Sequence, residues 1–381
     1  MPTATDVREQ VVELAREFAR EKIEPFAAEW DRTSHFPRDV IDELGKLGFL
    51  GMCTPEEYEG MGLDTITYLM VLEEISAADS ALAVSIGIHN AIPSTMLVKH
   101  GTREQKERWL KPMARGELLA GFALSEAEAG SDAASLRSQA IKDGKHWVLN
   151  GAKAWATNAG TADLMMIMVR TDTPNARRGA KGISTFIVPT DSKGYKPAKP
   201  EDKMGLRASN TAGIELNDLR LPADQMLGDE GMGFVYAMEG LDAGRLGIGA
   251  QGVGIARKAL ELSLKYCAER KQFGKAIADF QSVQFQIARA ATEVEAARLM
   301  VYNAARLRDA GSPFLKEAAM CKIFSSEVAE HVSSLAVNLF GGYGFVKDYP
   351  VEKFFRDAKI GQIYEGTSNL QLQTIAKQIL G

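Results

Sequence analysis

Cysteine is scarce in this chain: its 381 residues hold three, Cys53, Cys267 and Cys321, far apart and odd in number. That excludes a disulfide framework and a zinc site built on paired cysteines, and it suits a reducing compartment. Proline and glycine, at 13 and 35 residues, are not in excess, which removes collagen-like and low-complexity readings. Positive charge is not in surplus either: 45 basic against 50 acidic side chains leave a net charge of −5. A mildly acidic chain favours neither nucleic acid nor an anionic membrane surface as partner. The opening segment MPTATDVREQ has no basic stretch leading into an apolar one, so no secretory signal or transit peptide is read there, and a cytoplasmic location is expected. The longest uncharged run, residues 80–98, is interrupted by Ser80, Ser85, His89, Asn90, Pro93, Ser94 and Thr95. It predicts a buried helix broken near Pro93, not a bilayer span.

What is present is ordinary globular material, 45% hydrophobic and 25% charged, long enough for two or three domains. Residues 1–120 read as helical, with Val11, Leu14, Ala15 and Phe18 at helical spacing, as are Ile41, Leu44 and Leu47. A Gly-rich interruption covers residues 46–63, and further helical blocks cover 65–82 and 103–110. Residues 121–229 change texture: short apolar runs alternate with turn pairs, marking a small β domain. Asp143-Gly144 and Asn150-Gly151 predict hairpin turns, and residues 164–169 and 183–188 predict buried strands, the second stopped by Pro189. More strand is expected at 214–216 and 219–221. Residues 230–381 return to long helices, where Val283, Ile287, Ala291, Val294, Ala297, Val301 and Ala305 form one stripe suited to a bundle.

Five segments carry chemistry. Residues 123–132, ALSEAEAGSD, end in Gly130-Ser131-Asp132, whose N–H groups and hydroxyl suit the carbonyls of a heterocycle or an anion. A surface turn or helix cap explains the same residues. Trp155 and Thr157, two apart on a predicted strand, point to one side and suit a planar cofactor. A Trp packed in the β core is the plainer alternative. Arg270-Lys271 at a helix end suits a phosphate, or is a solvated charge cluster. Asn338-Leu339-Phe340-Gly341-Gly342-Tyr343-Gly344 permits close backbone approach to a ligand, but without a preceding strand it is not a dinucleotide fingerprint. Glu365, between apolar residues and Gly366, is a candidate general base or an exposed loop acid. His89 reads as a packing histidine.

In this order, on a helix–β–helix frame, the segments resemble the acyl-CoA dehydrogenase family across essentially the whole chain. Residues 123–132 and 341–357, the latter with Asp348, Lys353 and Asp357, look like that family's two signature regions. Asn338 departs from it, since most members carry Gln there, and Glu59 stands where relatives more often have Gly. The resemblance implies an α+β fold: an N-terminal helical domain, a middle β-barrel or sandwich domain and a C-terminal four-helix-bundle domain. It implies FAD as cofactor. Phe122, Leu124, Ser125, Gly130 and Ser131 would line the flavin, Ser131 also lying near the CoA thioester arm. Trp155, Ala156 and Thr157 would flank the isoalloxazine ring. Arg270, Phe273, Gln281, Asn338, Leu339, Gly341 and Gly342 would hold the FAD pyrophosphate and adenosine from a neighbouring subunit of a homotetramer, and Thr367 and Asn369 would make the last cofactor contacts. Asp242, Arg245 and Gly366 would lie on the substrate side, with an acyl-tail pocket on the helices holding residues 82–92 and 234–238.

The implied reaction is α,β-dehydrogenation of an acyl-CoA to the trans-2-enoyl-CoA. Glu365 removes the α-proton and flavin N5 accepts the β-hydride. A ribityl hydroxyl and the Glu365 N–H polarise the thioester oxygen. Electrons pass to electron-transferring flavoprotein. Some family members place the base immediately before the residue matching Arg245; here that position is Gly244, which leaves Glu365. The likeness is greatest to the short/branched-chain and short-chain enzymes. An acyl-CoA oxidase, a medium-chain dehydrogenase and a non-catalytic acyl-CoA-binding protein are the alternatives.

Overall fold

The computed structural model describes residues 4–172 and 179–381. The first part is helical: α1 (Ala4–Phe18), α2 (Ala27–Thr33), α3 (Arg38–Lys46), α4 (Thr65–Ala78), α5 (Ser80–His89), α6 (Thr95–His100), α7 (Arg103–Gln105) and α8 (Lys111–Ala114). The predicted block over 65–82 is two helices. Asp79 separates them, leaving the helical conformation while its carboxylate accepts the Leu82 N–H at 2.9 Å to cap α5. Both helices are largely buried, α5 on nearly every face and α4 with its Glu73 ion-paired to Arg257 and Arg298.

The break expected at Pro93 does not occur. A π-turn, Asn90–Ser94, absorbs the proline, and the Ser94 hydroxyl donates to the His89 carbonyl at 2.8 Å. The segment Ser80–His100 has the length and apolarity of a membrane span, but 83% of its most apolar window is buried within the fold. His89 is buried, with Nε2 2.9 Å from the Leu50 carbonyl and Nδ1 accepting the Ala120 N–H at 2.9 Å. Burial pulls its pKa down to about 4, so it packs as a neutral ring.

The β region holds β1 (Ala120–Ala123), β2 (Gln139–Asp143), β3 (His146–Thr157), β4 (Leu164–Arg170), β5 (Ile183–Pro189), β6 (Tyr195–Pro197), β7 (Thr211–Pro222) and β8 (Met226–Leu227). They form one mixed sheet in the order β6-β7-β3-β2-β4-β5-β8, with β1 parallel to β4. Asp143-Gly144 makes the predicted hairpin turn, Asp143 pairing with His146. Asn150-Gly151 does not: it lies inside β3, at a register shift, where a Cβ on Gly151 would overlap Ser138. Residues 214–216 and 219–221 belong to one strand, β7, which pairs along the whole of β3 through two register shifts.

The last part is built on α9 (Gly233–Glu269), a short hairpin β9 (Lys271–Gln272) and β10 (Lys275–Ala276), α10 (Gln281–Asp309), α11 (Leu315–Phe340), α12 (Val351–Ala358) and α13 (Ser368–Leu380). The long helices pack as a bundle, with α9 running between α4 and α11. A Cβ at Gly252 would sit 2.9 Å from the Ser325 carbonyl of α11, and one at Gly254 would sit 2.6 Å from that of Glu73 in α4. Only glycine permits both approaches. On α10 the buried stripe starts later than predicted: Ala290, Val294, Ala297, Val301, Ala304 and Ala305 are buried, Val283 and Ile287 are half-buried and Ala291 is exposed.

Lys353 and Asp357 tie the three parts together. The Lys353 ammonium lies 2.7 Å from Asp357 and 3.0 Å from Asp79, and Asp357 accepts the Leu206 N–H at 2.6 Å. Burial opposes the charge on Lys353, but the two carboxylates outweigh it and raise its pKa.

Candidate active site

Three surfaces collect the residues singled out above. The first is on the β domain. After β1 the chain folds back onto β3: the Ala154 N–H donates to the Ser125 carbonyl at 2.9 Å, and the buried Lys153 ammonium donates to the Leu124 carbonyl at 3.2 Å and to Glu126 at 2.8 Å. Glu126 also accepts the backbone N–H groups of Arg137 at 2.6 Å and Ser138 at 2.9 Å. Burial pulls the Lys153 pKa down to about 8. On Glu126, burial is outweighed by Lys153 and the N–H donors, so the carboxylate stays below its ordinary range. This anchor fixes residues 124–131 beside β3, with Phe122 and Leu124 buried, Ser125 half-buried, and Gly130 and Ser131 exposed.

Trp155 is not a core residue. Its φ is +60°, it falls at a register shift between Lys153 and Ala156, and it is 63% exposed. The regular alternation predicted for Trp155 and Thr157 therefore does not hold, although Ala156 is buried and Thr157 half-buried beside it. An outward-facing indole on a bulged strand is a flat apolar platform.

The second surface surrounds Glu365. The residue sits in the turn before α13 at φ +51°, followed by Gly366 at φ +90°. Thr367 caps α13. Gln371 Nε2 donates to the carbonyls of Glu365 (3.1 Å) and Gly366 (2.9 Å), Lys322 Nζ donates to that of Gly366 (2.7 Å), and the Tyr364 hydroxyl meets Gln251. The Glu365 side chain lies against α9, where a Cβ on Gly244 would overlap its carboxylate, with Cδ at 2.9 Å. The residue as a whole is half-buried, but Oε2 is fully shielded and has no hydrogen-bond partner. Burial pushes its pKa up to about 7, against the pull of Lys322 and Arg245. Arg245 pairs with Asp242 at 2.8 Å, and its Nε is buried and unpartnered. Burial raises the Asp242 pKa although Arg245 opposes it.

Glu365 lines a mainly apolar slot of about 10 Å³, room for about one water. Leu72 of α4 and Ala83, Val84, Gly87, Ile88 and Ala91 face Gly244, Gly247, Ile248 and Gln251 of α9 across it. The helix over 82–92 was expected here. The helix that holds 234–238, α9, lines the slot too, through residues 244–251, while Phe234 and Met238 themselves pack against the core with Ile92 and Met96.

The third surface is an open pocket of about 760 Å³ at the far end of α9 and α11. Arg270, Leu339, Gly341 and Gly342 line it with Tyr266, Phe340, Tyr343 and Tyr349. The Arg270 guanidinium lies 5.6 Å over the Tyr343 ring, and Tyr266 stacks on Phe340 at 4.0 Å. Phe273, at the tip of the β9–β10 hairpin, is 95% exposed; Gln281, Asn338 and Asn369 are exposed as well. Phe273, Gln281 and Asn338 lie outside the lining of this pocket.

Sequence reasoning missed Lys153, Glu126, Lys322 and Gln371. Lys322 had a legible signal: it falls on the buried stripe of α11 with Ala318, Ala319, Ser325 and Ser326, a face on which a cation is out of place. The exposed Trp155 platform and the arginine beside a glycine turn fit a cofactor that joins a planar ring to a diphosphate.

Models of the acyl-CoA dehydrogenase N-terminal, middle and C-terminal domains match residues 5–117, 121–219 and 231–380. The chain therefore belongs to the acyl-CoA dehydrogenase family, FAD-dependent oxidoreductases that act on CH–CH bonds. It is 43% identical to the rat mitochondrial short/branched chain specific acyl-CoA dehydrogenase, covering 100% of this chain and 87% of the relative. It is 41% identical to the short-chain specific acyl-CoA dehydrogenase of Clostridium acetobutylicum, covering 98% of each. The structure of butyryl-CoA dehydrogenase from Megasphaera elsdenii superposes with a TM-score of 0.96 at 38% identity, covering 99% of this chain and 98% of that one.

Proposed function

We propose that the protein dehydrogenates a short or short branched-chain acyl-CoA to the trans-2-enoyl-CoA, with Glu365 removing the α-proton. One observation carries this reading: a carboxylate whose Oε2 is buried and unpartnered, lining a mainly apolar slot, over a residue with no side chain. Its pKa near 7 poises it as a base at neutral pH. Gly244 leaves room for that carboxylate and offers no second base. The slot's mainly hydrocarbon lining suits an alkyl chain, and at about 10 Å³ it must open to admit one; the short-chain and short/branched chain relatives support short substrates. Arg245 and Lys322 favour the ionised base in the resting site, and exclusion of water strengthens every polar contact there.

Bound FAD supplies the two-electron acceptor for the β-hydrogen. Phe122, Leu124, Ser125, Gly130, Ser131, Trp155, Ala156 and Thr157 would hold its ring, with Thr367 and Asn369. Arg270, Phe273, Gln281, Asn338, Leu339, Gly341 and Gly342 would hold its diphosphate and adenosine. Phe273, Phe285 and Leu299, exposed in one chain, support assembly as a homotetramer in which these residues serve a neighbour. Electron-transferring flavoprotein is the proposed acceptor and the cytoplasm the proposed location.

Anaerobic titration of the FAD-loaded protein with butyryl-, 2-methylbutyryl-, isobutyryl- and octanoyl-CoA tests the substrate class. Rapid bleaching of the flavin by one of the short chains, and slow or no bleaching by octanoyl-CoA, is expected. Glu365→Gln should keep FAD and bind acyl-CoA while flavin reduction falls by about 10²–10⁴-fold. Near-normal turnover in that variant would remove Glu365 as the base.

A further inference from the structure

The Glu365-Gly366 turn is held in a conformation that a non-glycine residue rarely adopts, φ +51° at Glu365. Something must fix it. Gln371 does so locally, from the first turn of α13. The second donor comes from elsewhere: Lys322 on α11, 44 residues away, reaches the Gly366 carbonyl at 2.7 Å. Its side chain is fully buried among alanines and serines, where an apolar residue would pack without the cost of desolvating an ammonium. The hydrogen bond it makes is to a backbone carbonyl, not to a carboxylate. Helix α11 also packs directly on α9, which carries Gly244. Lys322 thus links the turn that bears the carboxylate to the scaffold over which that carboxylate must lie.

We propose that Lys322 is a positioning residue for this site: its ammonium pins the Gly366 carbonyl and so holds the Glu365 carboxylate over Gly244, aimed into the acyl slot. The proposal rests on the reading of Glu365 as the base. The charged groups facing Glu365 are Lys322 from α11 and Arg245 from α9, with the neutral phenols of Tyr68 and Tyr364 alongside; those facing Lys322 are Glu365 and Arg245. Removing Lys322 therefore loosens the turn and takes one of two cations from beside the carboxylate.

The test compares Lys322→Met, Lys322→Arg and Glu365→Gln, each as FAD-loaded protein. Flavin content, acyl-CoA KM, the rate of anaerobic flavin reduction from pH 5.5 to 9 and solvent-deuterium exchange at the substrate Cα are measured. Lys322→Met should retain FAD with KM little changed, and lose about 10²-fold in both reduction and exchange, the usual cost of a misplaced reacting group. The acid limb of its pH profile should move upward, because a cation that favours the ionised base is gone. Lys322→Arg should return the limb to its wild-type position. A wild-type rate and limb in Lys322→Met overturn the proposal. If Lys322→Met does not load FAD, Lys322→Gln, whose shorter side chain falls short of Gly366, decides on the same readings. Full activity in Glu365→Gln defeats the base assignment itself; an inactive Glu365→Gln beside an unaffected Lys322→Met defeats only the role of Lys322.

Discussion

The Glu365 slot and the Arg270 pocket share the helix α9 and differ in nearly every physical respect. The slot is narrow, about 10 Å³, lined mainly by hydrocarbon, and holds one carboxylate with a shielded oxygen. The pocket is open, about 760 Å³, and lined by aromatic rings, an arginine and a glycine turn. Low dielectric and the absence of competing water give the slot leverage over a proton. The pocket has the opposite virtue: rings and a delocalised cation at a wide mouth recognise a large, flat, anionic group without changing it. On the proposed function one bundle separates reaction from recognition, and each surface should fail in its own way.

The sharpest break in that comparison is Gly244→Ala. A methyl there overlaps the Glu365 carboxylate, so flavin reduction should fall by about 10²-fold or more, measured by anaerobic stopped-flow. Alanine in mid-helix otherwise favours folding by about 1 kcal/mol, so a stable but inactive protein is the expected result.

The next effect is on stability. The folded pKa of Glu365, about 7, lies above its ordinary value of 4.5. Between those values the folded state binds more protons than the unfolded state, so this group's contribution is complete below about 4.5 and is lost as pH rises through about 7. Glu365→Gln should therefore raise Tm at pH 8 more than at pH 5. Equal shifts at both pH values would mean that the carboxylate is not strained by burial.

The smallest effect belongs to the open pocket. Arg270→Ala should weaken FAD retention by about tenfold, read by equilibrium dialysis, with much of the rate recovered at saturating FAD. A loss of rate that saturating FAD does not relieve would merge the two regions functionally.

Much of this was legible in the residues. The helix–β–helix order, the strands at 164–169 and 183–188 and the neutral packing of His89 follow from periodicity and composition, which act over a few neighbouring residues. Where distant parts compete, local reading failed. Asn150-Gly151 has hairpin chemistry, but pairing with β7 continues on both sides of it, with a register shift in place of a turn. Pro93 should end a helix, but a serine hydroxyl and a π-turn carry it on. Trp155 could be placed on a strand but not on its outside, because the bulge that turns it outward depends on pairing with β7.

The sequence by itself determined the helix–β–helix order, that the chain belongs to a flavin-bearing family, and that Gly244 leaves Glu365 as the carboxylate to consider, since these depend on residue identity and spacing. Only the tertiary structure decided that the carboxylate lies over Gly244 with an unpartnered oxygen, that Lys322 reaches its turn from another helix, and that Arg270 and the glycine turn share an open pocket apart from it. Burial, and with it the shift of a pKa, is a property of what packs around a group, and the packing partners here lie tens to hundreds of residues away along the chain.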